Sequence, residues 1–515
     1  MKKALTGLQV SVCIALLLVA CSDPVETFDT RIRNAYVIDG LGNPARAADV
    51  YIRDGFIAQL TDVDAKSASV TNTIDAQGRI VAPGFIDVHS HGDPLETPGF
   101  ENFLAQGVTT ITLGQDGSSP EVENLGAWLD EVREEGIGVN LAMFVGHGTL
   151  RKLTGIEHNP DPSSDQLQRM LEMLDNALDY CFGLSTGLEY NPGLHASQDE
   201  LLALSKVVGK RSRLIMSHMR NEDDDQLETS IDELLNQGEY ARVHIAHLKS
   251  VYGKGRARAE ELLRKLDQAR QGGIAITADV YPYVASYTGL SLLFPLWAKT
   301  AEDFAIAKRD RRAELEAYLV KRITRRNGPA ATLLGTDPYT GKTLADLEVE
   351  LGLPFEKILI DVIGPQGTSG AYFIMDDALQ SRLLEDSNIT VSSDGSPTGF
   401  HPRGHGTFAK IIEEYVVTRN TLLLEEAVRK MTSFAASVLG LTDRGSIEPG
   451  KAADLVIFDP EQVRARATYP APIQLADGFD VVLVNGEIAF ESGVVNTIRS
   501  GLVLRPSSQP QQAGE

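Results

Sequence analysis

The chain has 515 residues, 43% of them hydrophobic, which suffices for one large core and a smaller second domain. Its 71 acidic residues outnumber 48 Lys and Arg, giving a formal net charge of −23. That balance argues against a nucleic-acid partner, because neutralising phosphates takes an excess of cations.

The N-terminus reads as an export signal over residues 1–20. Lys2 and Lys3 form a positive start, and Val10 to Ala20 is an apolar run too short to span a bilayer comfortably. The stretch Leu18-Val19-Ala20-Cys21 resembles the cleavage box of bacterial lipoproteins, in which Cys21 carries the lipid. Ser22 behind it favours the outer membrane, by analogy with lipoprotein sorting. The expectation is a lipid-anchored protein of the bacterial cell envelope, held to the membrane by its N-terminus through a polar tether over 21–30. Of the three cysteines, Cys13 leaves with the signal and Cys21 is acylated. Cys181 remains, so no intramolecular disulfide is available.

From Arg31 onward, alternating runs broken by Gly and Asp turns read as β-strands, and the same texture returns at 453–460 and 481–493. A small β-sandwich built from 31–83 and 436–500 is expected. Between them, eight short apolar strands alternate with amphipathic helices. The strands are 84–91, 109–114, 139–146, 182–186, 213–218, 242–247, 274–280 and 389–394. Helical patterns cover 165–179, 198–210, 224–237 and 258–271. Eight such alternations predict an α/β architecture, a (β/α)8 TIM-like barrel over 84–435. The gap before the last strand is too long for a plain connection, so a helical insertion near 290–370 is expected to cover the site. The Pro-, Ser- and Gln-rich end, 501–515, reads as disordered.

Several strands end in metal-type ligands. His89 and His91 lie two apart, so their side chains share a face. His218 and His247 end two later strands, and Asp394 ends the last. In a barrel these five converge at the C-terminal mouth, where such folds keep their active sites. A lone buried histidine is usually a hydrogen-bonded core residue. Four of them with an aspartate would lack partners unless they held a metal. Imidazole and carboxylate suit zinc best and are also compatible with iron or manganese.

The stretches VAPGFIDVHSHGD (81–93), GLSTGLEYNPG (183–193), SHMRNED (217–223), IAHLKS (245–250), DVYPY (279–283), SSDGSP (392–397), HPRGHGTF (401–408) and MTSFAASVLGLTDRGSIEPGKAADLVIFD (431–459) together resemble the D-aminoacylase branch of the amidohydrolase superfamily. The resemblance spans about 31–495. It implies a zinc-dependent hydrolase, with one or two ions, that cleaves N-acyl-D-amino acids to a carboxylate and a free D-amino acid. By the same resemblance His89 and His91 hold one ion, and His218 and His247 the other. Asp394 is then the general base that later protonates the leaving amine. Lys249, Tyr283 and Arg403 grip the substrate carboxylate. His147, His401 and His405 are further candidates for the mouth, and Ser185 and Tyr190 for the acyl side of the pocket.

One turn departs from the family. Where relatives carry Asn-Cys-Gly with a cysteine ligand, this chain has Gly114-Gln115-Asp116-Gly117. Asp116 therefore reads either as a replacement ligand or as an ordinary Asp-Gly turn. Cys181 is not that cysteine and reads as a small buried hydrophobe. Three other functions fit the chain: a dipeptidase or other amide hydrolase on D-amino-acid peptides, a cyclic-amide hydrolase, and a non-enzymatic binding lipoprotein. The cyclic-amide enzymes use a carboxylated lysine at the fourth strand, and FGLSTGLEY has no lysine.

Overall fold

The computed structural model describes residues 26–62 and 69–507. Cys21 and the lipoprotein box lie outside the described residues.

The eight expected strands form one parallel sheet: Phe85–Asp87, Val108–Leu113, Asn140–Gly146, Gly183–Gly187, Leu214–His218, Arg242–Ile245, Ile276–Val280 and Ile389–Val391, each paired with its neighbour in chain order. Their residues are nearly all buried, as in parallel strands covered by helices on one side and packed against each other on the other. The helices Ser164–Ala177, Gln198–Lys210, Leu227–Gln237 and Gly255–Gln271 lie where the apolar periodicity puts them. Ser163 caps the first of these through a capping box with Gln166.

The ring closes past the ends of the first and last strands. Ser90 and Gly395 form a parallel bridge, Asp394 N donates to the His89 carbonyl at 2.8 Å, and His91 N donates to the Gly395 carbonyl at 2.8 Å. Asp87 adds a side-chain clasp, accepting from His89 N at 3.2 Å and Ser393 N at 3.0 Å. These contacts set the His89–His91 segment and the Asp394 segment edge to edge.

The terminal segments meet in a nine-stranded sheet. Ile80–Pro83 joins its halves, running parallel to Thr27–Val37 and antiparallel to Leu455–Phe458. The expected sandwich is thus one continuous hydrogen-bonded sheet. It encloses its apolar face, since Val50 and Leu483 from distant strands share a core with Ile32, Val37 and Ile457. Each such side chain contributes roughly 1.5–3 kcal/mol on burial.

The insertion starts at Ala285, earlier than composition suggested, and is not purely helical. Ala285–Gly289, Thr332–Leu334 and Ser369–Phe373 make a three-stranded antiparallel sheet. Helices Ala301–Asp310, Arg312–Arg325 and Leu344–Leu351 pack beside it around Leu293, Leu315, Leu319 and Leu347. Strands such as ASYTG and SGAYF carry little apolar alternation, so only their pairing reveals them.

Residues 501–507 correct the disordered-tail reading. Gly501 N donates to the Ile137 carbonyl and Leu504 N to the Leu141 carbonyl, both at 2.8 Å, and Leu504 is buried. Composition averaged this apolar Leu-Val-Leu clip into the polar residues that follow it.

Lys430 supplies a stability prediction. It is 0% exposed, and its ammonium donates to the Asp386 carbonyl. Burial pushes its pKa down to about 7, only partly opposed by Glu426 and Asp386. The folded state therefore releases this proton before the unfolded chain does. Between pH 7 and about 10.4 the unfolded state binds more protons, and stability rises with pH. Relative to Lys430→Met, the wild type should gain about 1.4 kcal/mol of unfolding free energy per pH unit in that window. Parallel denaturation curves at pH 7.5 and 9.5 test this; an unchanged gap between the two proteins refutes it.

Candidate metal centre

The donors expected at the barrel mouth converge. His89, Asp116, His247 and Asp394 each place a ligand atom within 4.8 Å of the others, and His218, Glu222 and His247 form a second such group. The two groups share His247.

Asp116 sits among the histidines. Its Oδ1 lies 3.4 Å from His89 Nε2, 3.6 Å from His218 Nδ1 and 3.3 Å from His247 Nε2, and its Oδ2 lies 3.5 Å from His91 Nε2. The turn that carries it is built for this. Asp116 and Gly117 both have left-handed φ, 53° and 75°. Ser185 Oγ accepts from Gly117 N at 3.1 Å and donates to the Gly114 carbonyl, pinning the turn to the fourth strand. A left-handed Asp costs about 1–2 kcal/mol and persists only where surroundings enforce it.

The donor set fits a divalent ion. Both ring nitrogens of buried His89 lack a hydrogen-bond partner. His218 Nδ1 and His247 Nε2 face one another at 2.9 Å. Leaving buried polar groups unmatched costs several kcal/mol unless charge and coordination compensate. Burial opposes ionisation of Asp116, but the neighbouring histidines outweigh it and hold its carboxyl well below the ordinary range. Asp116 is thus anionic, as a ligand requires.

Asp394 lies at the edge of this group. Its Oδ1 is 3.1 Å from His91 Nε2 and 3.7 Å from His89 Nε2, and its Oδ2 accepts from Arg403 Nη1 at 2.5 Å. Burial again favours the neutral acid, but the Arg403 and His247 charges prevail and keep it ionised.

A cavity of about 280 Å³ opens over the cluster, lined by His91, Asp116, His218, His247, Asp394 and Arg403. The insertion contributes Ser286, Tyr287, Thr288, Leu292 and Arg326 to its walls. Lys249 lines it too, already engaged by Glu222 Oε1 and His247 Nδ1, both at 2.7 Å. Arg403 is likewise engaged by Asp394, and neither cation is unpaired.

Tyr283 does not join them. Its hydroxyl donates to the Pro402 carbonyl at 3.4 Å, and its ring packs on His401 and Tyr469. Tyr281, fully buried behind the cavity, packs on Arg403, whose guanidinium carbon lies 5.0 Å from its ring centroid. The strand ends at Val280, so period-two alternation no longer governs Tyr281 and Pro282.

Of the secondary candidates, Tyr190 packs 4.4 Å from the His218 ring and His401 lines the cavity, while His147 is buried against Glu200 and His405 lines a separate cavity. Cys181 is wholly buried, its thiol pushed up to about 12 by burial, far from thiolate chemistry.

Sequence reasoning passed over three supporting acids. Glu222 pairs with Lys249, and Glu189 approaches His218 Nε2 at 3.4 Å. Asp279 accepts from His247 N at 2.9 Å and bonds His244 Nε2 at 2.7 Å, fixing the backbone behind a ligand. Each lies inside or beside a recognised motif, and that proximity was the available signal.

A parallel eight-stranded barrel with four imidazoles and two carboxylates at its mouth defines a metal-dependent hydrolase of the amidohydrolase type. A model described as "Amidohydrolase family" matches residues 309–501. The N-acyl-D-glutamate deacylase of Alcaligenes xylosoxydans xylosoxydans is 33% identical over 93% of this chain and 97% of its own length. The D-aminoacylase of the same organism is 30% identical over 93% and 98%. The crystal structure of N-acyl-D-glutamate deacylase from Bordetella bronchiseptica, complexed with zinc and a phosphonate inhibitor, superposes with a TM-score of 0.80 at 31% identity, covering 93% and 100%. The chain belongs to the D-aminoacylase branch of the amidohydrolases.

The geometry separates the two readings of Asp116. As a ligand, Asp116→Asn loses the charge that binds the metal; as a turn residue it is silent, because Asn also suits such turns. Zinc titration followed by elemental analysis should show affinity reduced about 10- to 100-fold or more, the size of loss already typical for groups that only support ligands. Wild-type zinc affinity in the variant would return Asp116 to the loop.

Proposed function

We propose that this chain hydrolyses N-acyl-D-amino acids, with Asp394 carrying the proton between water and the leaving amine. The observation that supports this most is the placement of Asp394, adjacent to the histidine–Asp116 cluster on one side and open to the cavity on the other. His89, His91, Asp116, His218 and His247 would hold one or two divalent ions, zinc fitting the donor set. Such an ion, when bound, acidifies water to near neutrality and polarises a scissile carbonyl.

The protein's own part follows from its geometry. Arg403 holds Asp394 by its Oδ2 and leaves Oδ1 beside His91 at the cavity, placed to take a proton from the attacking water. The same carboxyl then donates that proton to the amide nitrogen as the C–N bond breaks, and returns to its starting state. Arg403 and Lys249 line the same cavity and present positive charge to the substrate α-carboxylate, each anchored by an internal acid. Insertion residues Ser286, Tyr287 and Thr288 wall the same cavity.

Two measurements test this reading. In the zinc-loaded protein, Asp394→Asn should keep wild-type metal content and lose about 100- to 10,000-fold in kcat, because only the proton carrier is removed. N-acetyl-D-amino acids should turn over while their L-enantiomers and hydantoins do not. Asparagine-variant turnover near wild type would remove Asp394 from the role.

The N-terminus supports an exported, lipid-anchored enzyme of the cell envelope. Cys21→Ala should move the protein from the membrane fraction to the soluble envelope fraction and abolish labelling by radioactive palmitate. Continued labelling of the variant would exclude Cys21 as the anchor.

A further inference from the structure

The cavity over the metal cluster holds a charge that the proposed reaction does not use. Arg326 follows helix Arg312–Arg325 in the insertion, lines the cavity, and is 2% exposed. Among the described residues no carboxylate or carbonyl accepts a hydrogen bond from its guanidinium, and its Nε is buried without a partner. Its guanidinium carbon lies 5.0 Å from the centroid of the Tyr372 ring. Stacking of that kind occupies the face of the guanidinium and leaves its in-plane N–H fork free.

Every other charged group lining the cavity has a counterpart. Asp394 pairs with Arg403, Glu222 with Lys249, and Asp223 with Arg322 at 2.7 Å. Arg325 reaches towards Asp223 as well, at 3.7 Å, so that acid is already shared. Arg326 is left uncompensated. An isolated buried cation is costly, and a ligand carboxylate is the natural partner for its fork.

Its position separates it from the α-carboxylate. That group sits two bonds from the scissile nitrogen and belongs beside Arg403 and Lys249, next to the metal ligands. Arg326 belongs to the insertion, and Val251, Leu292 and Ile374 line the same cavity. Apolar walls with a free guanidinium suit a short methylene chain ending in a second carboxylate.

Resting on the deacylase reading above, we infer that Arg326 selects substrates whose D-residue carries a side-chain carboxylate, N-acyl derivatives of acidic D-amino acids. Arg326 is a specificity residue and takes no part in proton transfer.

The test compares N-acetyl-D-glutamate with N-acetyl-D-leucine on the zinc-loaded full-length enzyme. The wild type should favour the glutamate derivative in kcat/KM. Arg326→Met should lower the ratio of the two kcat/KM values by about thirtyfold or more, with the loss concentrated in KM for the dicarboxylate. Arg326→Lys keeps the charge without the fork and should fall between the two, which guards against misreading a folding defect; melting curves of both variants check the fold. A ratio that stays constant in Arg326→Met, or an equal loss on both substrates, overturns the inference while leaving the deacylase reading intact. A wild type that prefers N-acetyl-D-leucine also overturns it. A wild type that cleaves no N-acyl-D-amino acid overturns both.

Discussion

The closure of the barrel between its first and last strands is the contact on which the site depends. The Ser90–Gly395 bridge, the two backbone hydrogen bonds around it and the Asp87 clasp join segments some three hundred residues apart in sequence. They bring His89 and His91 against Asp394 with no freedom to drift. A proton carrier works only within hydrogen-bond reach of its partners, and a one-ångström error costs heavily in rate. Regular backbone pairing sets that distance more rigidly than side-chain packing alone, so this closure serves both the fold and the chemistry.

Around the mouth, charge is balanced pair by pair. Buried charges are tolerated in a low-dielectric site when each has a well-placed partner and costly when one does not. Here the acids Asp394, Glu222 and Asp223 each hold a cation, and Asp116 sits among imidazoles. The exceptions fall where exogenous groups would enter: the unpartnered nitrogens of His89 at the metal cluster and the Arg326 guanidinium in the cavity wall. Unsatisfied buried groups in an otherwise satisfied site mark where a ligand completes the structure.

The insertion divides labour with the barrel. Segments at or just past the barrel strand ends carry the clustered histidines and Asp394, while Tyr287, Leu292 and Arg326 come from the inserted layer. That layer has its own small sheet and core, so its pocket-facing residues can vary without disturbing the ligand geometry. The cavity is thus walled by residues of both layers.

The sequence by itself determined the barrel and marked four histidines and Asp394 for its mouth. These rest on local rules, apolar strands at regular spacing with His or Asp at or just past their ends, but beyond the strands the pleat no longer aims a side chain, and His247 and Asp394 stand in left-handed backbone. Asp116 was visible as a departure from a family turn, but whether it faced the metal was not. That depended on Ser185, a residue about seventy positions away, gripping both ends of the turn. That Tyr283 stays out of the cavity was not visible either, because strand periodicity ends at Val280 and its packing on His401 and Tyr469 is tertiary. The lone charge of Arg326 was equally hidden. A sequence shows which residues carry charge, but whether a charge is paired is a property of distances, and only the tertiary structure sets those.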